Sequence, residues 1–368
     1  MTLLYTQGFE GYDVAGGRAA LEKDFNFSPV IATTEVGLRE GRNDNGIAAY
    51  HQDQSSPTEG YFGYFIPTAG LSSQDDWIVG LAFYNDFNWF ATTGSSRSPL
   101  IQFVDSDGEV MLSVYLAAGT LNVRAGAFSN GTKLGFANAL LSTKVWHYVE
   151  CKVNFHISTG SVVLHVNEEE VMNVTGVNTT TTDSLDARPS TIAVGGAGLT
   201  QKFLIDDIYI CDDQGTMNNT FLGDVRIERL NPTGVGATNG SGTEFTPSAG
   251  ANWDAVNDVI VDDDSTYVES STAGDKDTYE FDVTAETPAN IVAVSVKSWV
   301  RKTDAGSRNF VHVARSGTGP NTEDDSAVLY PSVTYRYMES IFETDPVSGV
   351  AWLKAEVNTA EFGYKVNA

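Results

Sequence analysis

Apolar and polar positions alternate along this chain in short runs broken by turn residues, and the pattern predicts strands almost throughout. Leu100-Ile-Gln-Phe-Val104 and Val110-Met-Leu-Ser-Val-Tyr-Leu116 flank Asp105-Ser-Asp-Gly108. Asp and Gly there supply the backbone freedom and self-bonding that a hairpin connection requires. Leu121-Asn-Val-Arg124 and Val145 to Phe155 follow as strands. Val162, Leu164 and Val166 share one face of Gly160 to Asn167, and after a turn at Asn167 to Glu169 the run Val171 to Val174 returns. Lys202 to Cys211 closes the first half, with Phe203, Ile205 and Tyr209 expected on one face and Leu204, Ile208 and Ile210 on the other.

The second half predicts a strand over Gly223 to Leu230, then a long loop from Asn231 to Gly250 dense in Gly, Asn, Thr, Ser and Pro. Strands are expected at Thr278 to Val283 and Ile291 to Lys302. A turn at Thr303 to Gly306 is expected to pair the latter with Asn309 to Arg315 as a hairpin. Asp345 to Gly349 reads as a turn, Trp352 to Ala360 as one short helix, and Glu361 to Val366 as the last strand. No heptad repeat encodes a fibre shaft.

With 368 residues, a composition boundary between Asp212 and Thr220 suggests two domains, 1–213 and 214–368. A hydrophobic fraction of 41% supports a real core, and 35 glycines suit many tight turns. The formal net charge of −26 opposes nucleic acid and anionic membrane as broad partners. The N-terminus lacks a signal-peptide pattern, so manufacture without the secretory route is expected, and no run approaches the ~20 apolar residues of a membrane helix. Cys151 and Cys211 form no disulfide framework, and whether they bridge each other stays open.

Phe9-Glu-Gly-Tyr12, Trp77 to Phe83, Trp146-His-Tyr-Val-Glu-Cys-Lys152, Val162 to Asn167 and Phe203-Leu-Ile-Asp-Asp-Ile-Tyr209, in that order, resemble the concanavalin A-like lectin (laminin G-like) family over about residues 1 to 213. Phe221-Leu-Gly-Asp-Val-Arg226, Asp262 to Val268, Gly274 to Tyr279 and Arg301 to Gly306, with Glu356-Val-Asn and Glu361-Phe-Gly at the end, resemble a segment that follows such a domain in structural proteins of tailed bacteriophages. The resemblance implies an all-β chain: an N-terminal concanavalin A-like (laminin G-like) jelly-roll sandwich followed by a second antiparallel β-sandwich. It implies a virion protein of the tail or its fibres with a host-surface attachment role. Capsid decoration and a glycan-binding or glycan-degrading module are the alternatives. Other virion proteins, further copies in a homo-oligomer such as a trimer, and host cell-surface glycans are the implied partners.

The search for chemistry returns no catalytic, cofactor-binding or metal assignment. The paired-carboxylate pattern Glu-x-Asp-x-x-Glu of glycosidases in the resembled family is absent, and Glu168-Glu-Glu170 sits at a hairpin tip, so the chain reads as non-enzymatic. Asp206-Asp207 lies between two apolar faces, and a buried carboxylate must be bonded. Backbone amides or an arginine, a structural calcium, and a wet strand edge are the three readings kept open there. Asp262 to Asp264 with Asp275 and Asp277 departs from a calcium loop, with Tyr267 at the glycine position and Ala273 at the bidentate position. His51, His147, His156, His165 and His312 show no ligand spacing. Tyr61, Phe62, Tyr64, Phe65, Trp77, Phe87, Trp89 and Phe90 are chiefly core candidates, any one of which could instead stack on sugar.

Overall fold

The computed structural model describes residues 3–27, 36–42, 46–52, 64–67, 74–85, 97–181, 188–195, 202–236, 244–317 and 322–367. They fall into two compact units, Met1–Ile227 and Glu228–Ala368. Among the described residues every strand pairing is antiparallel, and no helix is long and apolar enough to cross a membrane.

The first unit is a jelly-roll of two facing sheets. One runs β13 (Glu169–Val177), β12 (Gly160–Val166), β11 (Trp146–Asn154), β6 (Asp76–Asn85), β15 (Lys202–Asp212), β4 (Ile47–Gln52) and β3 (Val36–Glu40), with β1 (Leu3–Gln7) also on β15. The other runs β10 (Thr132–Leu140), β9 (Thr120–Ala125), β8 (Val110–Ala117), β7 (Arg97–Val104), β14 (Thr191–Val194), β5 (Tyr64–Pro67) and β2 (Asn26–Phe27). A single helical turn, α1 (Arg18–Leu21), follows β1.

Period-two alternation explains the core. Cross-strand partners share a face, so Trp77, Val79, Leu81 and Phe83 of β6 line up with Val149, Cys151 and Val153 of β11, all fully buried. The two sheets meet through contacts such as the edge-on rings of Phe103 on β7 and Phe155 just after β11, 5.3 Å apart. Each such side chain contributes about 1.5–3 kcal/mol by leaving water. The hairpin turn at Asn167 and Glu168 forms with both residues at positive φ.

β15 departs from simple alternation. Its register against β6 jumps from Asp206↔Ala82 to Tyr209↔Gly80, a bulge with Asp207 at φ 48. The inserted residue reverses the phase, so Phe203 and Ile205 do not share a face with Tyr209 as alternation predicted. Beyond the bulge Ile210 pairs with inward Val79, while Tyr209 turns to the outer face. Cys151 pairs with Val79 and Cys211 with Ile78, so the thiols lie on opposite faces of strands that flank β6. Two inter-strand spacings of ~4.8 Å exceed the ~7 Å reach of a disulfide, and both cysteines are reduced and buried.

The first compact unit extends to Ile227. One sequence expectation fails after residue 220: Gly223 to Leu230 forms no strand. The cause is a set of amides in 222–227 that bond side chains of the large sheet instead of a neighbouring strand.

The second unit has one sheet in the order β16 (Pro232–Val235), β19 (Lys276–Phe281), β24 (Glu361–Val366), β21 (Phe310–Arg315) and β22 (Glu323–Asp325). Two ribbons accompany it, β17 (Thr246–Pro247) with β18 (Val268–Glu269), and β20 (Val294–Val300) with β23 (Arg336–Phe342). β16 and β17 both lie inside the stretch expected to be loop. The predicted hairpin between β20 and β21 does not form. All of β21 is buried and it is paired on both edges, by β24 and β22. β20 instead pairs with β23, where Lys297, Tyr337, Trp299, Tyr335 and Arg301 interleave as a row of cations and rings. Val294 and Val296 on its other face join the core of Ala314, Phe342, Trp352 and Phe362, with Val357 from the short helix α2 (Lys354–Val357). The all-β reading with two antiparallel sandwiches therefore holds.

Candidate functional site

The densest group of ionisable side chains in the first unit sits on the outer face of its larger sheet. Tyr148, Ala82 and Asp206 are cross-strand partners, and Glu150, Gly80 and Tyr209 form the next row. A Cβ on Gly80 would lie 2.1 Å from the Tyr209 ring, so only glycine admits that ring. Tyr148 and Tyr209 stack at 6.4 Å and 14°.

Residues 221–227 strap across this face. Leu222 N–H donates to the Tyr209 hydroxyl at 3.2 Å, Gly223 N–H to Glu150 Oε1 at 2.9 Å, and Ile227 N–H to Asp207 Oδ1 at 2.9 Å. Tyr209 itself donates to Glu150 Oε1 at 2.5 Å. Phe221 stacks on His165 at 3.9 Å. Arg42, reaching from the end of β3, donates to Asp207 Oδ2 at 3.1 Å, to Val225 O at 3.2 Å and to Asp224. Its main-chain N–H donates to Asp206 Oδ2 at 3.1 Å, and Asp207 N–H donates to Asp206 Oδ1 at 2.9 Å.

All four oxygens of the Asp206-Asp207 pair thus accept from amides or from Arg42, the partners named in the first of the three readings. Burial, with the charge of Asp207 beside it, pushes the Asp206 carboxyl upward. Burial does the same to Asp207, opposed by the Ile227 amide and by Arg42. Glu150 Oε2 is buried with no hydrogen-bond partner. Asp206, Asp207 and Glu150 are only 1–2% exposed. Among the described residues the arrangement anchors a chain segment.

The other candidates scatter. Asp262 accepts from Thr266, Asp263 from the Trp299 indole, Asp264 from Arg301 and Tyr335, Asp275 from Ser270, and Asp277 from Asn252 and Tyr279. Among the described residues no group of three or more His, Cys, Asp and Glu is placed to hold a metal. Glu168 accepts from Asp224 N–H and Glu170 from Asn173 at the hairpin tip. His147 is buried beside Ser142 O, His156 caps a turn, and His312 lies between Ser298 and Ser340. Trp77 is fully buried. Tyr61, Phe62, Phe87, Trp89 and Phe90, and the side chains of His51, Tyr64 and Phe65, lie outside the described residues. Sequence reasoning missed Arg42, Glu150, Tyr209 and the strap; the signal it did carry was the unexplained Asp-Asp pair.

No protein family matches the chain, and no curated protein does. Solved structures do. A carbohydrate esterase from the Shiga toxin-encoding bacteriophage phi24B is similar at 14% identity and TM-score 0.39, over 57% of this chain and 98% of that one. The catalytic domain of a glycoside hydrolase family 131 protein from Coprinopsis cinerea is similar at 11% and 0.41, over 61% and 99%. The CBM2 module of the evolved Dit protein of Lactobacillus casei BL23 phage J-1 is similar at 10% and 0.29, over 57% and 94%. These are likenesses of fold, and they include phage-derived proteins. The non-enzymatic expectation is corrected by them: the structures similar to this chain include a carbohydrate esterase and a glycoside hydrolase catalytic domain.

Proposed function

We propose that this chain is a component of a bacteriophage particle, carried on the tail or its fibres, whose N-terminal sandwich engages carbohydrate at the host surface. One observation carries the reading: four of the five segments resembling the lectin-like family take strand places in a jelly-roll. Trp77 to Phe83 forms central β6, Trp146 to Lys152 forms β11, Val162 to Asn167 ends in the β12–β13 turn, and Phe203 to Tyr209 is the strand that β1, β4 and β6 all join. The acidic surface suits a protein exposed in solution on a particle. Copies assemble as a homo-oligomer, a trimer in keeping with the symmetry of such sites, which light scattering of the purified chain reads directly.

The test has two arms. Gold-labelled antibody against the chain should decorate the tail end of purified particles; its absence from particles would end the virion reading, and several hundred copies over the head would replace tail with capsid decoration. Host-surface polysaccharide incubated with the chain should be retained by it. Release of reducing sugar or acetate in the same tubes would add cleavage to that contact.

A further inference from the structure

Three cations of the first unit stand together on the outer face of the seven-stranded sheet, in a chain whose formal net charge is −26. Arg124 of β9 is the cross-strand partner of Lys133 on β10. Arg97, at the start of β7, and Arg124 both lie over the Tyr115 ring, at 5.9 and 5.8 Å from its centre. Their bonds go to neutral groups. Arg97 Nη1 donates to Phe128 O at 3.2 Å and Ser129 O at 2.7 Å, and Arg124 donates to the Tyr115 hydroxyl at 3.0 Å and to Gly131 O. Among the described residues none of the three is ion-paired with a carboxylate. The carbonyls fix the two guanidinium groups in place and carry no charge themselves.

Beside these charges is an apolar surface that the fold leaves in water. Phe136 of β10 is 53% exposed, with Lys133 Nζ 4.7 Å from its ring centre, and its cross-strand partner is Asn122. A ring face and fixed cations are groups a charged pyranose requires: the ring takes its C–H face, the cations its carboxylate. The chain's formal net charge of −26 disfavours anions as broad-surface partners, so a cluster of fixed cations is where one is held.

We propose that the outer face of the β7–β10 sheet binds an acidic polysaccharide, a chain of pyranoses bearing carboxylates of the uronic or sialic type. This rests on the carbohydrate reading above and adds the sign of the ligand's charge and the place where it lands.

The experiment measures binding of the full chain to polygalacturonate, hyaluronan and polysialic acid by calorimetry, with fully methyl-esterified polygalacturonate and dextran as neutral counterparts. At least one carboxylated polymer binds, its methyl ester or neutral counterpart binds roughly tenfold more weakly, and added salt weakens the contact. Phe136→Ala weakens binding roughly tenfold and Lys133→Ala roughly threefold. Both side chains are exposed, so both variants fold, and their melting temperatures confirm it; Lys302→Ala, in the other unit, leaves binding unchanged. Equal binding of neutral polymers overturns the inference while sparing the carbohydrate reading. Full binding by Phe136→Ala and Lys133→Ala overturns the placement, and no binding of any polymer overturns both.

Discussion

Replacing Arg42 by Met removes a guanidinium that is bonded at once to Asp207, Asp224 and Val225 O, while keeping most of its apolar stem. The Arg42 side chain is 7% exposed and that of Asp207 2%, so water cannot take over the lost charge contact. Removing one member of a buried pair costs about 3–5 kcal/mol. Asp207 keeps the Ile227 amide and can accept a proton, which places the cost at the lower end, about 3 kcal/mol at pH 8. For a unit of this length each kcal/mol shifts the melting temperature by roughly 2–4 °C, so Arg42→Met should melt roughly 6–12 °C lower by calorimetry. At pH 5 the proton relieves the stranded charge and the deficit should shrink to less than half. Arg42→Met combined with Asp207→Asn should recover most of the loss at pH 8, because the second change removes the charge that the first left unpaired. A single variant that melts with the parent at both pH values, or a double variant no more stable than the single, would refute an ionic anchor for the strap.

Asp206 and Asp207 are held above the ordinary carboxylate value. The folded first unit therefore keeps protons that the unfolded chain has shed, and its stability should fall as pH rises from ~4 toward neutrality; Asp206→Asn should flatten that slope in urea midpoints. The second unit should respond in the opposite sense. Burial pushes His312 down to about 3, so its stabilising effect is complete above ~6.5 and is lost on acidification, by up to about 3 kcal/mol at pH 4; His312→Gln should abolish this dependence in the unfolding transition of that unit. Gly80→Ala places a methyl inside the Tyr209 ring and should destabilise the first unit by about 2 kcal/mol or more, with faster limited proteolysis between Asp213 and Ile227; cleavage at the parental rate would show that Tyr209 does not hold the strap.

Strand positions were legible wherever one face was buried against a sheet, as in β6, β11 and β12, because period two is imposed by the backbone itself. Partner choice was not. Thr303 to Gly306 has the composition of a turn, yet nothing local told β20 that β21 already had a neighbour on each edge. The bulge at Asp207 was equally hidden, since one inserted residue leaves both faces of β15 apolar in sequence while exchanging their directions. The Asp206-Asp207 pair signalled that a buried carboxylate needed partners. Those partners, Arg42 and Ile227, lie far from it along the chain, and only the closed sheet brings them together.

The two cysteines, set on opposite sides of one sheet, make the protein report its own opening. Cys151 sits in the layer between the sheets, where burial raises its thiol far above the range in which it reacts. The Cys211 sulfur lies 4.0 Å from Thr220 O, at the root of the strap. A maleimide added to the intact molecule would therefore mark Cys211 whenever residues 220–227 lift away, and Cys151 only when the sandwich itself parts. Mass spectrometry of the two peptides would time these events separately, with no probe engineered into the chain.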